Sequence, residues 1–118
     1  MITITGRIPS KKNARQAINM GGRCILIPNK LYKEWNRDAL IEVAQQVDHK
    51  AQPFGKEIRI VMFAPDARKF DLTNKAESCM DLLVDAHVIE DDNYEIVPRL
   101  ILEFGGIDRE NPRAEIYG

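Results

Sequence analysis

The chain opens with ITITGRIP, residues 2–9, in which apolar and polar positions alternate as far as Pro9, the period-2 pattern of a half-buried strand. The next stretch, SKKNARQAINMGG (10–22), is polar, basic and closed by glycine, and reads as a loop. RCILIP (23–28) reads as a second strand returning in a hairpin. Asn29 is placed to cap a helix that runs to about Val47, with Leu31, Trp35, Leu40, Val43 and Ala44 among its core-facing positions. HKAQPFG breaks that helix. EIRIVMFA (57–64) is a strong strand, with Ile58, Ile60 and Met62 on one face, Arg59, Val61 and Phe63 on the other, and Pro65 as its stop. A second helix spans about Asn74 to Ala86. IVPRLILEF (96–104) follows as a long strand whose Pro98 marks an edge or a bulge near its start, and AEIY (114–117) is a short last strand. The order β β α β α β β predicts the α+β class: one domain, residues 1–118, with a mixed sheet of about five strands and two helices packed on it.

Composition narrows the setting. A chain of 118 residues suits a single core, no apolar run reaches the roughly 18 residues a membrane span needs, and MITITGR lacks the features of a signal peptide. A cytoplasmic protein with no membrane partner is expected. Cys24 and Cys79 lie far apart in apolar settings and read as reduced core thiols, while His49 and His87 are too isolated to form a ligand pair. The net charge of −1 conceals a strong asymmetry along the chain. Residues 1–34 carry seven cations against Glu34 alone, a net of +6, and residues 81–118 carry three arginines against ten acids, a net of −7. Such a division provides for a polyanion on one surface and cations on another, or simply for two solvated faces.

The second helix sharpens the question. At 100° per residue, Glu77, Ser78, Asp81 and Asp85 fall on the same side as Asn74, while Ala76, Cys79, Met80, Leu82, Leu83 and Ala86 fill the opposite arc. A structural reading makes Asn74 the N-cap, Glu77 its capping-box partner and the face solvated. Asp71 before the helix and Asp91 and Asp92 after it open another reading. If the chain folds back, Asp71, Asp92 and a helix carboxylate can share a hard divalent cation, Mg²⁺ or Mn²⁺, which also takes substrate phosphate oxygens.

From Asp71 to Asp92 the chain resembles the core motif of RusA-type Holliday-junction resolvases, in which D-x-D-N-x-x-K opens a helix, a further Asp follows and an Asp-Asp pair closes the motif. Here DLTN, Asp81 and Asp91-Asp92 fall at that spacing without a gap. PSKKN and APDARKFDL resemble, more weakly, the family's Pro-Ser-Asn segment and its basic approach to the first Asp. The resemblance implies a homodimeric, Mg²⁺- or Mn²⁺-dependent endonuclease that cuts paired strands across four-way DNA junctions in recombination or repair, as in chromosomes or prophages. It makes Asp71 and Asp92 metal ligands, with Asp91 adjacent. Two positions depart from the family: its second acid is Thr73 here, and its catalytic lysine is Glu77. Glu77 then replaces the missing carboxylate and Lys75 the missing lysine, so that Asp71, Lys75 and Asp92 form the catalytic set. Asn74 and Asp81 stand as further ligands or as groups that hold the ligands.

Lys11, Lys12, Arg15, Arg68 and Lys69 complete this reading as contacts to DNA phosphates, contributing position rather than sequence recognition. A rival from another class keeps the fold and the basic loop as a non-catalytic junction-binding module that has lost its chemistry through Thr73. A metal phosphohydrolase for small substrates is disfavoured because no GxxxxGK[ST] loop is present.

Overall fold

A computed structural model describes residues 1–10, 15–28, 30–47, 54 and 56–118, with the backbone alone at 15–20 and 24–28. In chain order the elements are β1 (Ile2–Thr5), β2 (Arg15–Met20), β3 (Arg23–Pro28), α1 (Lys30–Gln46), β4 (Glu57–Ala64), α2 (Leu72–Asp85), β5 (Arg99–Ile107) and β6 (Arg113–Tyr117). The class is α+β. The mixed sheet has four strands rather than five, in the order β1-β6-β4-β5, with β4 and β5 parallel and the other pairs antiparallel.

The remaining two strands form a separate hairpin, β2-β3. The expected loop over 10–22 is therefore corrected at residues 15–20. Gly21 and Gly22 have φ of 60° and 81°, the two positive values a type I′ hairpin turn requires, and Met20 faces Arg23 across them. Arg15 consequently begins a strand and is not part of a loop, while the expected cap Asn29 lies outside the described residues.

The core lies between the sheet and the two helices. Ile58, Ile60 and Met62 of β4 meet Cys79, Met80, Leu82 and Leu83 of α2, with Ile2, Ile4, Ala114 and Ile116 extending the layer. Complete burial of each large aliphatic side chain contributes about 1.5–3 kcal/mol. Cys79 behaves as a small hydrophobe there, and burial raises its thiol to about 12. On α1 the buried seam is Tyr32, Ala39 and Val43, flanked by Trp35 and Leu40. The expected core positions Leu31 and Ala44 face outward instead, Leu31 at 75% exposure.

The two edges of the sheet differ. At β1, Gln46 of α1 accepts from the N–H of Thr3 at 2.8 Å and donates to its carbonyl at 2.7 Å, while Glu42 accepts from the N–H of Thr5. The helix thus satisfies backbone groups that an edge strand leaves open. β5 is the other edge, as Pro98 suggests, but it starts at Arg99 and not at Ile96. Residues 93–97 form a turn in which the Asn93 carbonyl accepts from the N–H groups of Ile96 and Val97. The register shift lies further along, where Gly105 is the extra residue. A Cβ there would stand 2.7 Å from the Phe63 ring.

Candidate functional site

The site residues gather around α2 and the ends of the strands beside it. α2 begins at Leu72, with Asp71 as its N-cap residue in extended conformation (φ −88°, ψ 124°), two residues earlier than expected. Asn74 is therefore the third helical residue and not the cap, and Glu77 lies too far along to complete a capping box. The Asp71 carboxylate makes no capping bond to the backbone; its Oδ2 accepts from Asn74 Nδ2 at 3.2 Å.

Pairing across the sheet brings a second segment to the same end. Thr5 faces Arg113 and Arg113 faces Phe63, so the residues after β1 and after β4 emerge side by side. Arg7 and Arg68 both bind Asp66, Arg7 Nη2 to Oδ2 at 2.5 Å and Arg68 Nη2 to Oδ2 at 3.1 Å. The bonds from Arg68, with the charges of both arginines, hold the Asp66 carboxyl down at about 2. Lys75 is half-buried, its Nζ 4.4 Å from the centroid of the Phe70 ring. Burial lowers its pKa, the positive charge of Arg7 adds to this, and Asp66 works the other way. Lys69 is exposed beside them and shares the lining of a cavity with Arg7, Asp71, Asn74 and Lys75.

The C-terminal end of α2 is built to turn the chain back. His87 has φ 59°, its N–H donates to the Val84 carbonyl, and that of Val88 donates to Leu83, with both Val88 and Leu83 buried. This is a Schellman turn with histidine where glycine is usual. It leads into a loop in which Asp91 Oδ1 accepts from the N–H of Asp92 at 2.7 Å and Oδ2 accepts from Asn93 Nδ2 at 2.9 Å. Those bonds keep the Asp91 carboxyl low. Asp92 moves upward, first through what burial it has, then through the hydrogen bond and charge of Asp91 and the charge of Asp81.

The turn after α2 brings Asp92 within electrostatic reach of Asp81, and Asp71 is not among the groups that act on Asp92. Asp71 lies ten residues before Asp81, about 15 Å along a helix. Glu77 is exposed on α2 between them. Among the described residues no group of three or more His, Cys, Asp or Glu side chains stands at a spacing that holds a metal ion. Asp81, Asp91 and Asp92 offer hard oxygen donors of the kind Mg²⁺ or Mn²⁺ takes, but they do not form such a group.

Arg68 and Lys69 stand at the basic end with Lys75. Lys11 and Lys12 lie outside the described residues, as does the side chain of Arg15. Sequence reasoning missed Arg7, Asp66 and Phe70 as parts of the site. Arg7 and Asp66 are 59 residues apart, and only the β1-β6-β4 register joins them. Among the described residues no helix is long and apolar enough to cross a membrane. No protein-family model matches the chain, and no curated protein matches it.

Proposed function

We propose that the protein is a Mg²⁺- or Mn²⁺-dependent endonuclease of the cytoplasm that cuts branched DNA, with four-way junctions as its substrate and a homodimer as its working form. The observation that carries this reading is the division of charge between the start of α2 and the region of its later turns and exit loop. Cations Arg7, Arg68, Lys69 and Lys75 surround the start of α2, and carboxylates Asp81, Asp91 and Asp92 stand further along it. A phosphodiester backbone laid along α2 would meet neutralising charge at one end and hard carboxylate oxygens at the other. The basic group lies beyond the C-terminal end of β4, where open sheets with parallel strands commonly bind ligands.

Asp81 and Asp92 hold the metal in this reading, with Asp91 oriented by its own loop. When bound, the ion lowers the pKa of an attacking water and neutralises the leaving oxygen. Lys75 supplies a partly desolvated positive charge, which acts more strongly on a phosphate than a solvated one does. Arg7, Arg68 and Lys69 fix the register of the strand without reading its sequence. Two-fold symmetry accounts for paired cuts.

Thr73, at the motif's second acidic position, favours the rival reading of a junction-binding module without chemistry. Incubation of a labelled four-way junction with the protein, in Mg²⁺ or Mn²⁺ and in EDTA beside linear duplex, separates the two. The nuclease reading expects metal-dependent cuts confined to the junction. Tight binding with no product in either metal would establish the rival.

A further inference from the structure

The cavity at the start of α2 has features that the metal chemistry does not use. It measures about 450 Å³ and lies between the Arg7–Ser10 segment and the first turn of α2, with Arg7, Ser10, Lys69, Asp71, Asn74 and Lys75 on its polar walls. Around it, Arg7, Arg68, Lys69 and Lys75 face Asp66 and Asp71, four cations against two anions, a net of +2. Asp66 is already held by two arginines and Asp71 bonds Asn74. Among the described residues Lys75 makes no ion pair, although its ammonium is half-buried. A charge withdrawn from water without a counter-ion is costly, and an anion in the cavity removes that cost.

Two further observations specify the anion. Asp71 leaves the first backbone N–H groups of α2 without a side-chain cap, and Asp71, Asn74 and Lys75 from that positive end of the helix line the cavity. Ser10 Oγ, in the cavity wall, is buried and has no hydrogen-bond partner among the described residues. Backbone donors, a hydroxyl, an ammonium without an ion pair and the guanidinium of Arg7, which shares Asp66 with Arg68, suit a tetrahedral oxyanion in a compact space.

We infer that this cavity is a phosphate subsite that holds one backbone phosphate of bound DNA, with Lys75 and Arg7 as its charged walls. The inference deepens the nuclease reading and rests on it for the identity of the ligand. The subsite acts without metal, because none of its donors needs one.

The test uses the full chain in EDTA. Inorganic phosphate is titrated at constant ionic strength, balanced with sodium chloride, while backbone amide resonances are followed, and the same titration is repeated with a four-way junction present. The expected result is saturable shifts at Thr73, Asn74 and Lys75, together with competitive weakening of junction binding. Lys75→Met keeps the stem over Phe70 and is expected to weaken phosphate binding at least tenfold, and Arg7→Gln by a similar factor. Lys56→Met, which removes an exposed charge before β4, leaves it unchanged. Absence of saturable shifts in the wild-type protein would overturn the proposal without recourse to any variant. Equal losses in Lys75→Met and Lys56→Met would overturn it too, as would phosphate shifts with junction binding untouched, since the site then serves a free phosphate. Phosphate and junction competing for the cavity while Mg²⁺ yields no cleavage would uphold the subsite and remove the nuclease reading alone.

Discussion

Ser78 Oγ donates a 2.7 Å hydrogen bond to the carbonyl of Pro9, across 69 residues of sequence, and so fastens the segment that carries Arg7 to the middle of α2. Ser78 is completely buried by this contact, while its helical neighbour Glu77 remains exposed. Ser78→Ala leaves the carbonyl without its donor in a site closed to water. A loss of about 1–3 kcal/mol in urea unfolding is expected. A smaller loss, with Arg7 still bound to Asp66, would mean that the segment is held chiefly by Ile8.

The same residue shows how far the sequence could be read. The helical wheel separates α2 correctly into a core arc and a polar arc, and Ala76, Cys79, Met80, Leu82 and Leu83 are all buried. It assigns Ser78 to solvent because a wheel knows only one helix, and the segment that covers Ser78 comes from the far end of the chain. Strands 57–64 and 23–28 carried their own pattern. The strand 15–20 did not, since its polar side chains obscured alternation that the Gly-Gly turn signalled. The site behaves likewise. Local spacing singles out Asp91 and Asp92 but leaves the path of the chain after α2 open, and the Arg7–Asp66 pair depends on sheet register that no local pattern encodes.

His87 occupies the left-handed position of the turn that ends α2, where a side chain with a Cβ is strained by about 1–2 kcal/mol relative to glycine. Its side chain is exposed. His87→Gly relieves that strain at some cost in unfolded-chain entropy. A net stabilisation of about 0.5–1 kcal/mol by urea unfolding is expected, with the Asp91–Asp92 loop unchanged. Destabilisation would show that the imidazole contributes to the turn.

Asp66 gives a pH signature. Its carboxyl is held at about 2 in the folded protein against an ordinary value of 3.8, so the unfolded chain binds the proton more readily over that interval. The resulting stability is present above about pH 4 and is lost as pH falls toward 2. The wild-type protein should therefore lose more stability than Asp66→Asn between those limits in acid titrations of the urea midpoint. Added salt should narrow the gap, because the ion pairs with Arg7 and Arg68 are solvent-exposed. Parallel acid curves for the two proteins would show that Asp66 gains nothing from its arginines.

Asp92 has the opposite sign. Its carboxyl is raised, so the folded protein holds this proton more tightly than the unfolded chain, and ionised Asp92 reduces stability once pH rises past the raised value. Asp92→Asn removes the ionised form and with it the repulsion from Asp91 and Asp81. Stability at pH 7 should hold or rise while metal-dependent cleavage falls to background, a combination that loss of a purely structural acid does not produce. The helix partner is then decided by comparison. Asp81 is the α2 carboxylate whose charge reaches Asp92, so Asp81→Asn should raise the metal concentration for half-maximal cleavage more than Glu77→Gln does. Equal shifts would return Glu77 to the ligand set. A shift in Glu77→Gln alone would move the metal toward Asp71 and separate it from the Asp91–Asp92 loop.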